Sequence, residues 1–217
     1  MYKSKGILRA TTKAVVIASA GLGALGLMSS SVFAGLTATA DNTSGGSVTT
    51  GTLKLTQAAS SVVGITGGFL TAIAGLAPGD TVKRYIDLTN TGTLDAQAVT
   101  LATTASIANA LTTNGVAGLQ VAVNECAIAW TNAGVCTPAS TVALASTSLL
   151  TLASAQTLSL SSIVSLAVNH LQFVITLPAG SEVSINGALP VGTVQGLNTS
   201  VTWNFAETLR TNTVTNN

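Results

Sequence analysis

Charge is scarce in this sequence. Of its 217 residues only 7% are Asp, Glu, Lys or Arg, and only 4% are aromatic; there is one His and there are two Cys. Each shortage excludes something. One His cannot furnish the two ligands of an H-E-x-x-H zinc helix. One His and two Cys also fall short of the four ligands of a structural zinc site. No G-x-S-x-G nucleophile turn occurs. Few aromatics argue against a sugar-stacking platform. Long apolar runs are missing as well: beyond residue 34, Thr and Ser interrupt every stretch before the roughly 20 residues that a membrane span needs.

What charge there is lies unevenly. Lys3, Lys5, Arg9 and Lys13 precede the first acid, and Ala14 to Leu27 is apolar. Met28 to Ala34 then ends with Val32 and Ala34, small residues at the −3 and −1 positions of a cleavage site. Residues 1–34 therefore read as a signal peptide with a helical apolar stretch, cut between Ala34 and Gly35. Membrane contact is expected only through this segment, before cleavage. Without it, Lys54, Lys83, Arg84 and Arg210 face seven acids, a net charge of −3. No basic patch remains to neutralise phosphates, so no nucleic-acid partner is expected. Gly21-Leu-Gly23-Ala-Leu-Gly26 fits the dinucleotide fingerprint G-x-G-x-x-G, but it lies inside the export signal with no strand before it, so it is no nucleotide site.

The remainder is patterned for strands. Leu53 and Leu55 alternate with polar neighbours. After the Pro78-Gly79-Asp80 turn, Val82, Ile86 and Leu88 share a face that Arg84 interrupts. Leu171, Phe173, Ile175 and Leu177 alternate up to Pro178, and Val201, Trp203 and Phe205 alternate with Thr202 and Asn204. A period of two marks half-buried strands. Residues 139–168, rich in Ser, Thr, Ala and Leu, read as edge strands and loops, and Ala105 to Leu111 as a short helix. The fold class is all-β, a jelly-roll-like or Ig-like antiparallel sandwich over 51–210. An extended segment (35–50) precedes it and a polar tail (211–217) follows. Cys126 and Cys136 are expected to pair in the oxidising medium outside the cell. Closing so short a loop stabilises by roughly 2–3 kcal/mol in the chain-entropy model.

Several stretches carry a family resemblance. Ala34-Gly-Leu-Thr-Ala-Thr-Ala-Asp41, followed by Gly51-Thr-Leu53-Lys-Leu55, resembles the junction after signals cut by a SipW-type signal peptidase. Leu76-Ala-Pro-Gly-Asp80 and then Asn90-Thr-Gly-Thr-Leu94 resemble the turn–strand–turn of the TasA/camelysin family. Gln195-Gly196, Val201 to Phe205 and Arg210 are similar to its closing strand. The resemblance implies a sandwich secreted by a Gram-positive bacterium, self-associating into biofilm-matrix fibres by donation of an N-terminal strand, with the SipW-type peptidase as its partner during export. Here the donor is 35–50, with Leu36, Ala38 and Ala40 on one side. The alternatives for this segment are a flexible leader or a strand that pairs within its own subunit; for the whole protein they are a monomeric surface module such as an adhesin or carbohydrate binder and, last, a camelysin-type peptidase.

Camelysin-like relatives are classed as metallopeptidases. With His170 as the lone imidazole, the expectation is no enzyme: no catalytic residue, no metal site and no cofactor. Asp80, Asp87 and Asp95 are too dispersed to suggest a calcium site. Leu177-Pro-Ala-Gly-Ser181 lacks the Thr-Gly of a sortase signal, so release outside the cell is expected rather than covalent anchoring.

Overall fold

The computed structural model describes residues 49–211, except 138, 181, 183 and 184. The signal helix, the Ala34–Gly35 junction and the donor residues Leu36, Ala38 and Ala40 lie outside the described residues.

Among the described residues, eight strands form two antiparallel sheets. The first contains, in spatial order, β1 (Leu55–Ala59), β2 (Thr81–Asn90), β7 (Val168–Thr176), β4 (Gln120–Cys126) and β5 (Thr141–Ser148). The second contains β6 (Gln156–Leu158), β3 (Ala96–Ala105) and β8 (Val201–Leu209). The inner faces pack as a sandwich. Ile86 and Leu88 of β2, Val121 and Val123 of β4, and Leu171, Phe173 and Ile175 of β7 share one core with Val99 and Leu101 of β3 and Leu158 of β6. Trp203 and Phe205 of β8 pack against that core. Alternation causes this arrangement: successive side chains leave opposite faces, so one apolar set is committed to the core.

The centre is aromatic. The ring of Phe173 meets those of Phe69, Trp203 and Phe205 edge-on at 4.9, 5.3 and 6.1 Å between centroids. Phe69 also stacks on Trp203 at 4.7 Å. These contacts tie β7 in one sheet to β8 in the other.

Local signals set the connections. In the turn into β2, Gly79 adopts φ +100°, and Asp80 accepts from the Ala77 N–H at 2.8 Å. The helical turn α1 (Ala110–Thr113) is capped by Asn109 and Thr112, each bonding the other's backbone. The helix expected over Ala105 to Leu111 is found only at its last two residues, because Ala105 ends a strand and Asn109 supplies the cap. Within 139–168 the two strands are indeed sheet edges, β5 and β6. Between them Leu149–Leu152 forms a second helical turn, α2, capped by Ser148.

Candidate functional site

Among the described residues, β8 pairs only with β3, along its whole length and with one register shift, between Ala96 and Ala98 of β3. Its other edge, nine residues long, has no strand partner among the described residues. Thr202, Asn204, Ala206 and Thr208 point to solvent, while Val201, Trp203, Phe205 and Glu207 are half-buried. The other edges differ. β1 has five residues and β6 three. β5 is broken by two register shifts against β4, and its Ala143 carbonyl accepts from the Ser159 N–H. The one charge on β8, Glu207, has both carboxylate oxygens buried without a hydrogen-bond partner among the described residues. That desolvation raises its pKa.

Beside β8 the sandwich opens into a cleft of about 650 Å³. The 69–76 segment, Ile175, Leu177 and Trp203 contribute to its wall, and so does Arg84. Arg84 is the residue that interrupts the apolar face of β2, and alternation duly carries it inward. It is only 6% exposed. Its guanidinium donates to the Lys83 carbonyl at 3.1 Å and the Thr71 carbonyl at 3.2 Å, while Nε has no partner among the described residues. Burial lowers its pKa below the ordinary value.

The outer face of the five-stranded sheet is closed differently. Cys126 and Cys136 form a disulfide with Cα atoms 5.7 Å apart. The loop it closes folds Trp130 over the sheet, where it joins Tyr85 and Cys126 in a second small core. Trp130 Nε1 donates to the His170 carbonyl at 3.0 Å, and Gln172 Nε2 donates to the Tyr85 hydroxyl at 2.9 Å. Gly134, at φ +68°, passes so close to that hydroxyl that any Cβ would collide with it.

His170, the aspartates and Glu125 are engaged with other partners. His170 Nδ1 lies 2.7 Å from Asp87 Oδ1, and the pair is partly buried. Asp80 holds its turn. Asp95 accepts from the Ser165 N–H at 2.9 Å. Glu125 takes the hydroxyl and N–H of Ser161. The cleft and the open edge went unpredicted as sites. Their only sequence signals were the break at Arg84 and the regular alternation of 201–205.

A family described as camelysin metallo-endopeptidase matches residues 9–132, more than half of the chain. The match runs through β1 to β4 and ends inside the disulfide loop, so it does not include the 195–210 stretch. No curated protein matches. The family's description corrects the expectation of no enzyme, which rested on the lone His and the missing H-E-x-x-H helix, features of only one kind of metallopeptidase site. The metal such an activity implies does not find a ligand set here: no three of His, Cys, Asp and Glu cluster among the described residues. His170 has one carboxylate beside it, and both cysteine sulfurs are spent in the disulfide. No helix among the described residues is long and apolar enough to cross a membrane. On the match across its N-terminal and central strands, the chain belongs to the camelysin metallo-endopeptidase family.

Proposed function

We propose that the exported chain is a structural subunit of an extracellular surface or matrix fibre, built by strand addition between copies. The free edge of β8 carries this reading. Unpaired backbone N–H and C=O groups on a long edge are a template for another strand. Edges are ordinarily blunted by Lys, Pro, bulges or shortness. β8 has no Lys or Pro, and its one guard is Glu207. The segment 35–50 is the donor, with Leu36, Ala38 and Ala40 facing the apolar side. Its sixteen residues exceed the nine of β8. The disulfide supports assembly outside the cell, since such bonds persist in oxidising surroundings.

The test compares chain 35–217 with chain 51–217 by light scattering and electron microscopy. The longer chain is expected to polymerise. The shorter is expected to stay monomeric and to bind a synthetic 35–50 peptide. Equal polymerisation of both chains refutes donation by this segment.

The family's description favours a second reading, metal-dependent cleavage of peptides. Hydrolysis of an unfolded protein substrate that stops with chelator and returns with added zinc supports it. Cleavage unaffected by chelator counts against it.

A further inference from the structure

We propose that the cleft walled by β8 and the 69–76 segment is a binding site for a small amphiphile with a single carboxylate head, the head meeting Arg84 and the apolar body lying against Phe69 and Trp203. The proposal is independent of fibre assembly.

An unpaired buried charge is expensive, and interiors admit one only when something compensates it. Arg84 stands where the alternation of β2 calls for an apolar residue. A Leu or Val there would continue the row of Val82, Ile86 and Leu88 with no such cost. Two backbone carbonyls orient the guanidinium but supply no countercharge. The carboxylate of Asp87 is engaged elsewhere, 2.7 Å from His170 Nδ1 on the outer face. The guanidinium, its charge shared over three nitrogens, thus stands in the cleft wall with one donor, Nε, unsatisfied among the described residues.

The surroundings define the rest of the ligand. A cleft of about 650 Å³ falls within the ~300–1,000 Å³ of small-molecule sites, which pair apolar walls with a few polar anchors. Here the walls include Phe69, Ile73, Ile175 and Trp203. One charged donor set among aliphatic and aromatic side chains suits one anionic head on a hydrocarbon body. A planar carboxylate matches the fork of a guanidinium better than a spherical anion does.

Trp203 makes the test direct. Chain 35–217 is titrated with decanoate, with decanol and with acetate, and followed by Trp fluorescence and calorimetry. Decanoate is expected to bind at least about tenfold more tightly than decanol, the scale of one hydrogen bond to a charged group. Acetate, without the apolar body, is expected not to bind measurably. Arg84→Met is expected to bring decanoate down to the level of decanol, and Arg84→Lys to keep part of the preference. In the unaltered chain, acidifying until decanoic acid is neutral is expected to abolish the preference, a readout that needs no variant to fold. Equal binding of acid and alcohol, a preference that survives Arg84→Met, or no binding of decanoate overturns the proposal.

Discussion

Replacing Phe173 with Ala measures how the two sheets are held together. Phe173 lies at the middle of β7, is fully buried and meets three other rings. Truncating a buried Phe to Ala costs about 3–5 kcal/mol, the larger values arising where the cavity cannot collapse. Rigid sheets on both sides resist collapse here. Each edge-to-face pair adds about 0.5–1.5 kcal/mol in isolation. The three pairs share one ring, however, and overlap with the cavity cost, so their sum is not to be added in full. The expected loss is about 5 kcal/mol. A domain has only about 5–15 kcal/mol in total. At about 2–4 °C per kcal/mol for a chain of this size, the melting temperature falls by about 10–20 °C. Thermal and urea unfolding by circular dichroism measure the loss, and Trp203 fluorescence reports whether β8 loosens at the same point. Phe173→Leu keeps most of the volume and is expected to cost far less. A loss below about 2 kcal/mol for the Ala variant, under the usual range for this truncation, refutes the view that this ring cluster joins the sheets.

Three further predictions concern the edges and loops. Replacing both cysteines with Ser is expected to cost about 2–3 kcal/mol from loop closure and to shift Trp130 emission to the red; reductant alone should reproduce both in the unaltered protein. Glu207 has a raised folded-state pKa, so the folded chain binds its proton more tightly than the unfolded chain, and stability is lost as pH rises from the ordinary Glu range through the folded value. Glu207→Gln is therefore expected to raise the melting temperature by a few degrees at neutral pH, with the gain shrinking to nothing below the ordinary Glu range; an unchanged gain at acid pH contradicts this. Glu182 behaves oppositely: hydrogen bonds from the Thr193 hydroxyl and the Val194 N–H at 2.8 Å hold its pKa below the ordinary value. Its contribution is complete above the ordinary Glu range and lost as pH falls through the folded value, so protection of the Val194 amide from hydrogen exchange should fade on acidification, and Glu182→Gln should weaken it at neutral pH.

Strands with strong alternation were legible from sequence. β2, β7 and β8 follow apolar rows spaced by two, and the Pro78-Gly79-Asp80 turn fixes where β2 begins. β1 lies further along than the Leu53–Leu55 pattern suggests, at Leu55–Ala59, because its register is set by pairing with Ile86 to Asn90. β3 and β4 drew no prediction. Ala96 to Ala105 is mostly Ala and Thr, whose small side chains leave a faint pattern, and its strand state comes from pairing with β6 and β8 on either side. The site residues were harder to read. Arg84 was visible as an interruption, but whether a buried cation has a carboxylate nearby depends on the segments folded around it. The cleft gathers residues from 69 to 203, a grouping that no local spacing encodes. Cys126 and Cys136 were legible as a pair, while the role of their loop, placing Trp130 on Tyr85, was not.

That loop makes the molecule two-faced in its tolerance of change. An antiparallel sandwich ordinarily leaves the outside of both sheets in water, free to vary. Here Trp130 and the disulfide cover the middle of the larger sheet, so Tyr85, Cys126 and Gln172 are buried on its outer side. Tyr85 and Gln172 are joined by a hydrogen bond, and Gly134 leaves the tyrosine hydroxyl no room for a neighbour's side chain. Substitution there has to satisfy packing and hydrogen bonding together. On the smaller sheet, Thr202, Asn204, Ala206 and Thr208 face solvent, and only Asn204 and Thr208 make long, exposed side-chain hydrogen bonds, to Thr104 and Ala98. Sequence drift, inserted tags and chemical labels are therefore best accommodated on the smaller sheet, whereas the covered face of the larger one behaves as interior.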